Sequence, residues 1–246
     1  MALKLNQSRE AYREFYGQNV AQMPALIADG RVPMNVSQLM QRRLGVRNSD
    51  AEVKGSYLNN YFDTGDGVIY HSDGRVKIVL DSQTLREMTL ESKRNNGALV
   101  IDGLAYEVLQ GVEFKKGKLG KVNEYLSRKE AKAHPVWKEL ARDQSLLNDY
   151  ADYIFGEYQA NFAKETPIED VTAMGIFPGS ASGDSPEMRA WVVSRLGNGS
   201  KAGGRSGLRR GCRRVVRPRP ARSTPARGRR RSAVVRRRSG RRGGGR

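Results

Sequence analysis

Acidic residues are missing from the last 46 positions of this 246-residue chain. From Lys201 to Arg246 there are 18 Arg, one Lys and no Asp or Glu. The 200 residues before them hold 25 basic and 26 acidic side chains. The net charge of +18 and the pI near 10.3 therefore belong to the C-terminal segment, and the body is close to neutral. Cysteine is scarce: Cys212 is the only one, so the body has no disulfide, no thiolate metal ligand and no thiol nucleophile. His71 and His134 are the only histidines, which leaves no paired-imidazole site. No stretch approaches the ~20 apolar residues that span a bilayer. The opening Met-Ala-Leu-Lys-Leu-Asn lacks the apolar run of a signal peptide. These absences predict a soluble, cytoplasmic protein with no membrane association, no cofactor and no resident metal.

From Ala202 onward only Ala, Gly, Arg, Ser, Leu, Cys, Val, Pro and Thr occur. So few apolar anchors cannot offset the entropy of ordering, and the composition predicts a disordered basic tail over 199–246. Arg suits an arm that lies along phosphates, because its planar fork binds them bidentately and releases counterions. The candidate contacts are Arg209, Arg210, Arg213, Arg214, Arg229, Arg230, Arg231, Arg236, Arg237 and Arg238. With no aromatic ring in the segment, binding through it would be insensitive to base sequence. The same nine residue types are also what an out-of-frame reading of GC-rich DNA produces, and on that reading the tail is spurious.

Residues 1–198 read as a single α+β domain in three parts. The first, 1–48, reads as a helical hairpin. Ser8 caps a helix carrying Tyr12, Phe15 and Tyr16. Asp29-Gly30 turns the chain, and Asn35 caps Val36–Leu44 before Gly45. Arg42, Arg43 and Arg47 on the second helix invite a helix-turn-helix reading, but they sit at the wrong end for base contacts. The second part, 49–126, changes to the period of strands. Val68–Tyr70 and Val76–Leu80 flank Asp73-Gly74 as a β-hairpin, and Ser82 caps a helix from Gln83 to about Lys93. Ala98–Asp102 and Leu104–Leu109 form a second strand pair around Asp102-Gly103, giving a small, largely antiparallel sheet packed with helices. The third part, 127–198, opens on the Ser127/Glu130 capping box. Pro135 starts a long helix reaching Phe162, and Ser185-Pro186 starts a final helix through Trp191 to Leu196.

Tyr61-Phe62-Asp63-Thr64-Gly65-Asp66-Gly67 is the densest cluster of chemistry-bearing residues in the body. Asp63-Thr64-Gly65 resembles the catalytic triplet of aspartic proteases, with Asp66 where that family carries a small residue. Thr64-Gly65-Asp66 with Asp73-Gly74 resembles the hairpin of acyl-CoA synthetases and other adenylate-forming enzymes. That resemblance would give Asp66 the ribose hydroxyls. It is confined to the hairpin: Asp63 interrupts the motif, and no Ser/Thr/Gly-rich phosphate loop precedes it. Asp63 and Asp66 are accordingly the candidate catalytic residues, and with Asp73 and Asp81 the candidate metal ligands, since loop carboxylates suit hard cations. Asp beside Gly is equally the expected turn residue.

Lys115, Lys116, Lys118 and Lys121 form the one basic cluster within the body, interleaved with Gly117 and Gly120. It lacks the order of a P-loop, and a solvated loop docked on acidic helices accounts for it, with phosphate contact as the alternative. The functional expectation is a non-enzymatic protein that binds nucleic acid or another polyanion through its tail. A small nucleotide-binding or metal-dependent hydrolytic enzyme using the aspartate hairpin is one alternative. A protein-interaction or structural domain with a spurious tail is the other.

Overall fold

The computed structural model describes residues 13–115, 117–198, 200–203 and 213–218, with backbone alone for 13, 14, 16, 198 and 213–218. The strands are β1 (Arg13–Tyr16), β2 (Arg31–Pro33), β3 (Phe62–Tyr70), β4 (Val76–Val79), β5 (Arg94–Asn95), β6 (Ala98–Val100), β7 (Val112–Phe114), β8 (Leu126–Ser127), β9 (Thr172–Ala173), β10 (Ile176–Phe177), β11 (Glu187–Val193), β12 (Ala202–Gly203) and β13 (Arg213–Pro218). The helices are α1 (Asn19–Ala28), α2 (Val36–Gly45), α3 (Ala51–Leu58), α4 (Gln83–Arg86), α5 (Gly103–Val108), α6 (Arg128–Ala133), α7 (Pro135–Ala141) and α8 (Gln144–Phe162).

The fold is α+β. Eleven strands form one irregular, mainly antiparallel sheet built on the long pair β3 and β11, and β8 pairs with β9 apart from it. Alternation along the central strands sorts their side chains between two layers. Val68 and Tyr70 of β3, with Trp191 and Val193 of β11, face a core filled by α2, α3, α7 and α8. Ile69, Met188 and Ala190 face a smaller core beneath α1, α4 and α5.

Local signals decide several elements. Asn35 and Ser127 both close reciprocal capping boxes, with Gln38 and Glu130. Gly74 takes φ 91° in the turn joining β3 to β4, a conformation glycine adopts without strain.

Five expectations are corrected. Arg13–Tyr16 is a strand and not part of a helix, while Ser8 and Tyr12 lie outside the described residues. Ser185-Pro186 leads into the strand β11 and not into a helix, because its side chains bury on both faces, Trp191 and Val193 in the larger core and Met188 and Ala190 in the smaller. Leu104–Val108 is helical and not a strand: Asp102 accepts hydrogen bonds from the N–H groups of Leu104 and Ala105, so it caps α5 and does not turn a hairpin. The long helix is broken at Arg142, at φ 63°, and the helix after Ser82 stops at Arg86.

The boundary drawn at 198 falls inside the folded unit. Ser200 and Ala202 are fully buried, and the Ser194 N–H donates to the Lys201 carbonyl. β12 joins β11 to β10, and β13 pairs with β1, β2 and Phe62 of β3.

Candidate functional site

Thr64-Gly65-Asp66 occupies a bulge. Asp63 pairs with Val192 and Gly67 with Ala190, so three residues of β3 stand opposite Trp191 alone. The bulge turns backbone groups away from the sheet: the Gly65 N–H donates to the Met34 carbonyl at 2.8 Å, and the Ser82 N–H donates to the Gly65 carbonyl at 2.9 Å. A side chain at Gly65 would press on the Pro33 carbonyl, which a Cβ would meet at 3.1 Å. Thr64 Oγ1 donates to the Trp191 carbonyl at 2.9 Å.

Asp66 has no exposed surface. Its Oδ2 accepts from the Val36 N–H at 2.8 Å, and its Oδ1 from the Asp81 N–H at 2.9 Å and from Arg142 Nη2 at 2.7 Å. Burial pushes the carboxyl pKa up, opposed by the Arg142 charge and the two backbone donors. Arg142 also reaches Asp81 Oδ2 at 3.0 Å, and Asn35 donates to Asp81 Oδ1 at 2.9 Å. The carboxylate assigned to a ribose or a cation thus ties the N-terminus of α2, the β4–α4 connection and the α7–α8 break into one knot. Its oxygens are already bonded, which leaves a structural role.

The other aspartates lie elsewhere. Asp63 is half-buried on β3. Asp73 sits in the β3–β4 turn, where it pairs with Arg75 at 2.7 Å and with His71 at 2.9 Å. Arg75 continues to Glu107 at 3.0 Å. Tyr106 donates to Glu113 at 2.8 Å, and burial with that carboxylate raises the phenol's pKa. Among the described residues no three His, Cys, Asp or Glu side chains gather as a metal site. The aspartate candidates therefore do not converge.

Sequence reasoning missed two buried polar centres. Glu187, 1% exposed, starts β11 and accepts from Asn95, Ser182 and Arg189 at 2.8–3.2 Å. It forms one wall of a cleft of about 270 Å³ that Lys93, Arg94 and Asp184 also line. Arg43 is fully buried and bonds only to neutral oxygens: the carbonyls of Tyr57 and Ser194 and the hydroxyls of Tyr150 and Ser200. Neither has a local sequence signature, since their partners come from distant segments. An Arg within the apolar stripe of α2 was the one available hint.

The basic candidates are spread out. Lys115 and Lys118 are exposed, and Lys121 is paired with Glu130 of α6 at 2.6 Å, which lowers the carboxyl pKa to about 2. The backbones of Arg213 and Arg214 lie in β13 opposite Tyr16 and Phe15. Lys116, Arg209, Arg210, Arg229, Arg230, Arg231, Arg236, Arg237 and Arg238 lie outside the described residues.

No family model and no curated protein matches the chain. One solved structure is similar, described as the accommodation of massive sequence variation in Nanoarchaeota by the C-type lectin fold. It is 16% identical, with a TM-score of 0.61 over 85% of this chain and 99% of that one. At that identity the likeness concerns the fold: the sheet and helices described above are arranged as in a C-type lectin fold.

Proposed function

We propose that the chain is a non-enzymatic binding module, a C-type-lectin-like scaffold that contacts nucleic acid or another polyanion through its Arg-rich C-terminal segment. The observation that carries this reading is the charge division, 19 basic and no acidic residues from Lys201 onward against a nearly neutral body. Two features of the structure support it. The aspartates that favoured an enzyme are separate, and Asp66 is consumed by structural bonds. β13 fixes part of the basic segment, Arg213–Pro218, to the sheet. The similar structure is described as a fold accommodating massive sequence variation, a property suited to a scaffold that displays changeable segments for binding.

The test is the salt dependence of binding to duplex DNA and duplex RNA. If about six phosphates are neutralised, log affinity falls against log salt with a slope near −5. Replacing Arg229, Arg230, Arg231, Arg236, Arg237 and Arg238 with Ser should flatten that slope. An unchanged slope would move the contact into the body, where Lys115 and Lys118 are the next residues to change.

A further inference from the structure

Glu187 begins β11 with only 1% of its surface exposed, and the fold does not need a charge there. A buried ion pair is often no more stabilising than apolar residues of similar volume. Arg189 Nη2 meets the carboxylate at 3.2 Å, while Asn95 Nδ2 donates to it at 2.8 Å and Ser182 Oγ at 2.9 Å. An ionised carboxylate has about four acceptor sites, so these three donors leave one unfilled. Glu187 also lines the cleft of about 270 Å³, where a further donor can reach it.

Backbone pairing sets the walls of that cleft. Val100 of β6 stands opposite Glu187 of β11, and the Ile101 N–H donates to the Pro186 carbonyl at 2.8 Å. β5 turns back on β6 through Asn96-Gly97, both at positive φ, which brings Lys93 and Arg94 to the cleft. Among the described residues no ion pair engages Lys93, Arg94 or Asp184, although all three line it. Arg94 Nη2 makes a long contact of 3.4 Å with the Leu90 carbonyl. Lys93, Arg94 and Arg189 stand against Asp184 and Glu187, which leaves the site with one excess positive charge.

We infer that this cleft binds an acidic α-amino acid, its carboxylates held by Lys93 and Arg94 and its ammonium by Glu187 and Asp184. Each charged group of such a zwitterion meets the opposite sign, and its net charge cancels that of the site. The volume lies below the range for drug-sized ligands, which limits the occupant to about the size of a single amino acid. A plain dicarboxylate would face two carboxylates with nothing to offer them, and a basic amino acid would add to the positive excess. The site shares no residue with the Arg-rich segment, so it stands whether or not that segment binds a polyanion.

The experiment is isothermal titration calorimetry of the full chain with L-glutamate, glutarate and L-lysine, alongside thermal unfolding. The variants are Lys93→Ala/Arg94→Ala, Asp184→Asn and Glu187→Gln. Binding of anions to the Arg-rich segment is common to the parent and every variant, so the part lost in the alanine pair belongs to the cleft. That part should be at least about tenfold tighter for L-glutamate than for glutarate or L-lysine. The alanine pair should melt with the parent, since both side chains are exposed, and should bind L-glutamate about tenfold or more weakly. Asp184→Asn should weaken L-glutamate more than glutarate. Glu187→Gln should do the same where it melts with the parent, and where it does not, the exposed Asp184 carries that arm of the test. Cleft binding of glutarate as tight as that of L-glutamate makes this an anion site and overturns the proposal. L-Glutamate binding unmoved by the alanine pair, or no saturation at about 10 mM, overturns it as well.

Discussion

Asp66→Asn separates a knot from a ligand site, because the two roles predict opposite outcomes. Asn is isosteric but carries one acceptor oxygen and one donor nitrogen. With its oxygen toward Asp81 and Arg142, its amide would face the Val36 N–H, placing donor against donor. A buried backbone N–H left without an acceptor costs about 1–3 kcal/mol. Losing the anion also weakens the bond to Arg142. Breaking a buried pair costs about 3–5 kcal/mol when the remaining charge is orphaned. Arg142 escapes that fate because its side chain is 25% exposed and it keeps Asp81 at 3.0 Å. The total should therefore be about 3 kcal/mol, or roughly 6–12 °C in Tm for a unit of about 200 residues. The control is Asp73→Asn: that side chain is 46% exposed in a solvent-screened surface pair, so this variant should melt close to the parent. Circular-dichroism melting of the three proteins, with and without millimolar Mg²⁺ or Ca²⁺, reads both effects. The reasoning fails if Asp66→Asn melts within about 2 °C of the parent, or if a cation raises the parent's Tm and leaves the variant's unchanged.

Three further outcomes follow from other contacts. His134 accepts from the Val136 N–H through Nδ1 and contacts the Lys121 carbonyl through Nε2 at 2.9 Å, and burial holds its pKa below 6.5. A base depressed in the folded state contributes stability that is fully present above 6.5 and lost as pH falls toward its folded pKa, so denaturant titrations should show this loss, and His134→Asn should remove it. A chain ending at Ser200 should melt well below one ending at Pro218, since it lacks the buried Ala202 and the strand between β1 and β3; equal melting temperatures would return the boundary to 198. At Arg43, Lys should prove less stable than Met in urea titration, because Lys keeps a buried cation while reaching fewer of the four oxygens.

Elements whose determinants lie within a few residues were legible in the sequence. The β3–β4 hairpin needed only Asp73-Gly74, and the starts of α2 and α6 needed only Asn35 with Gln38 and Ser127 with Glu130. The failures share a different cause. β11 buries side chains on both faces, so the period-two signal is erased, and its spacing of Met188, Trp191 and Val192 suits a helix face as well as a strand. Asp102-Gly103 is locally identical to a hairpin turn, and only the helical partners of Asp102 reveal a cap. Arg142 breaks the α7–α8 run without Gly or Pro, in a left-handed conformation that costs an Arg about 1–2 kcal/mol. What holds it there is Asp66, 76 residues earlier in the chain.

The same distinction governs the candidate site. Asp66 stood out as a loop carboxylate between two glycines, but its role depends on donors 30, 15 and 76 positions away, which no motif encodes. A charged group in a strand signals that something must neutralise it, and sequence cannot say whether that is a ligand or the protein itself. Here Val36, Asp81 and Arg142 supply the answer. The basic segment is the opposite case. Its charge is a property of composition, visible before any fold is known, whereas the cleft at Glu187 is a property of topology. Lys93 and Arg94 precede a turn and Asp184 lies in a loop, each with an unremarkable local context. Only the pairing of β6 with β11 sets them around Glu187, which accepts from an amide 92 positions earlier in the chain, at Asn95.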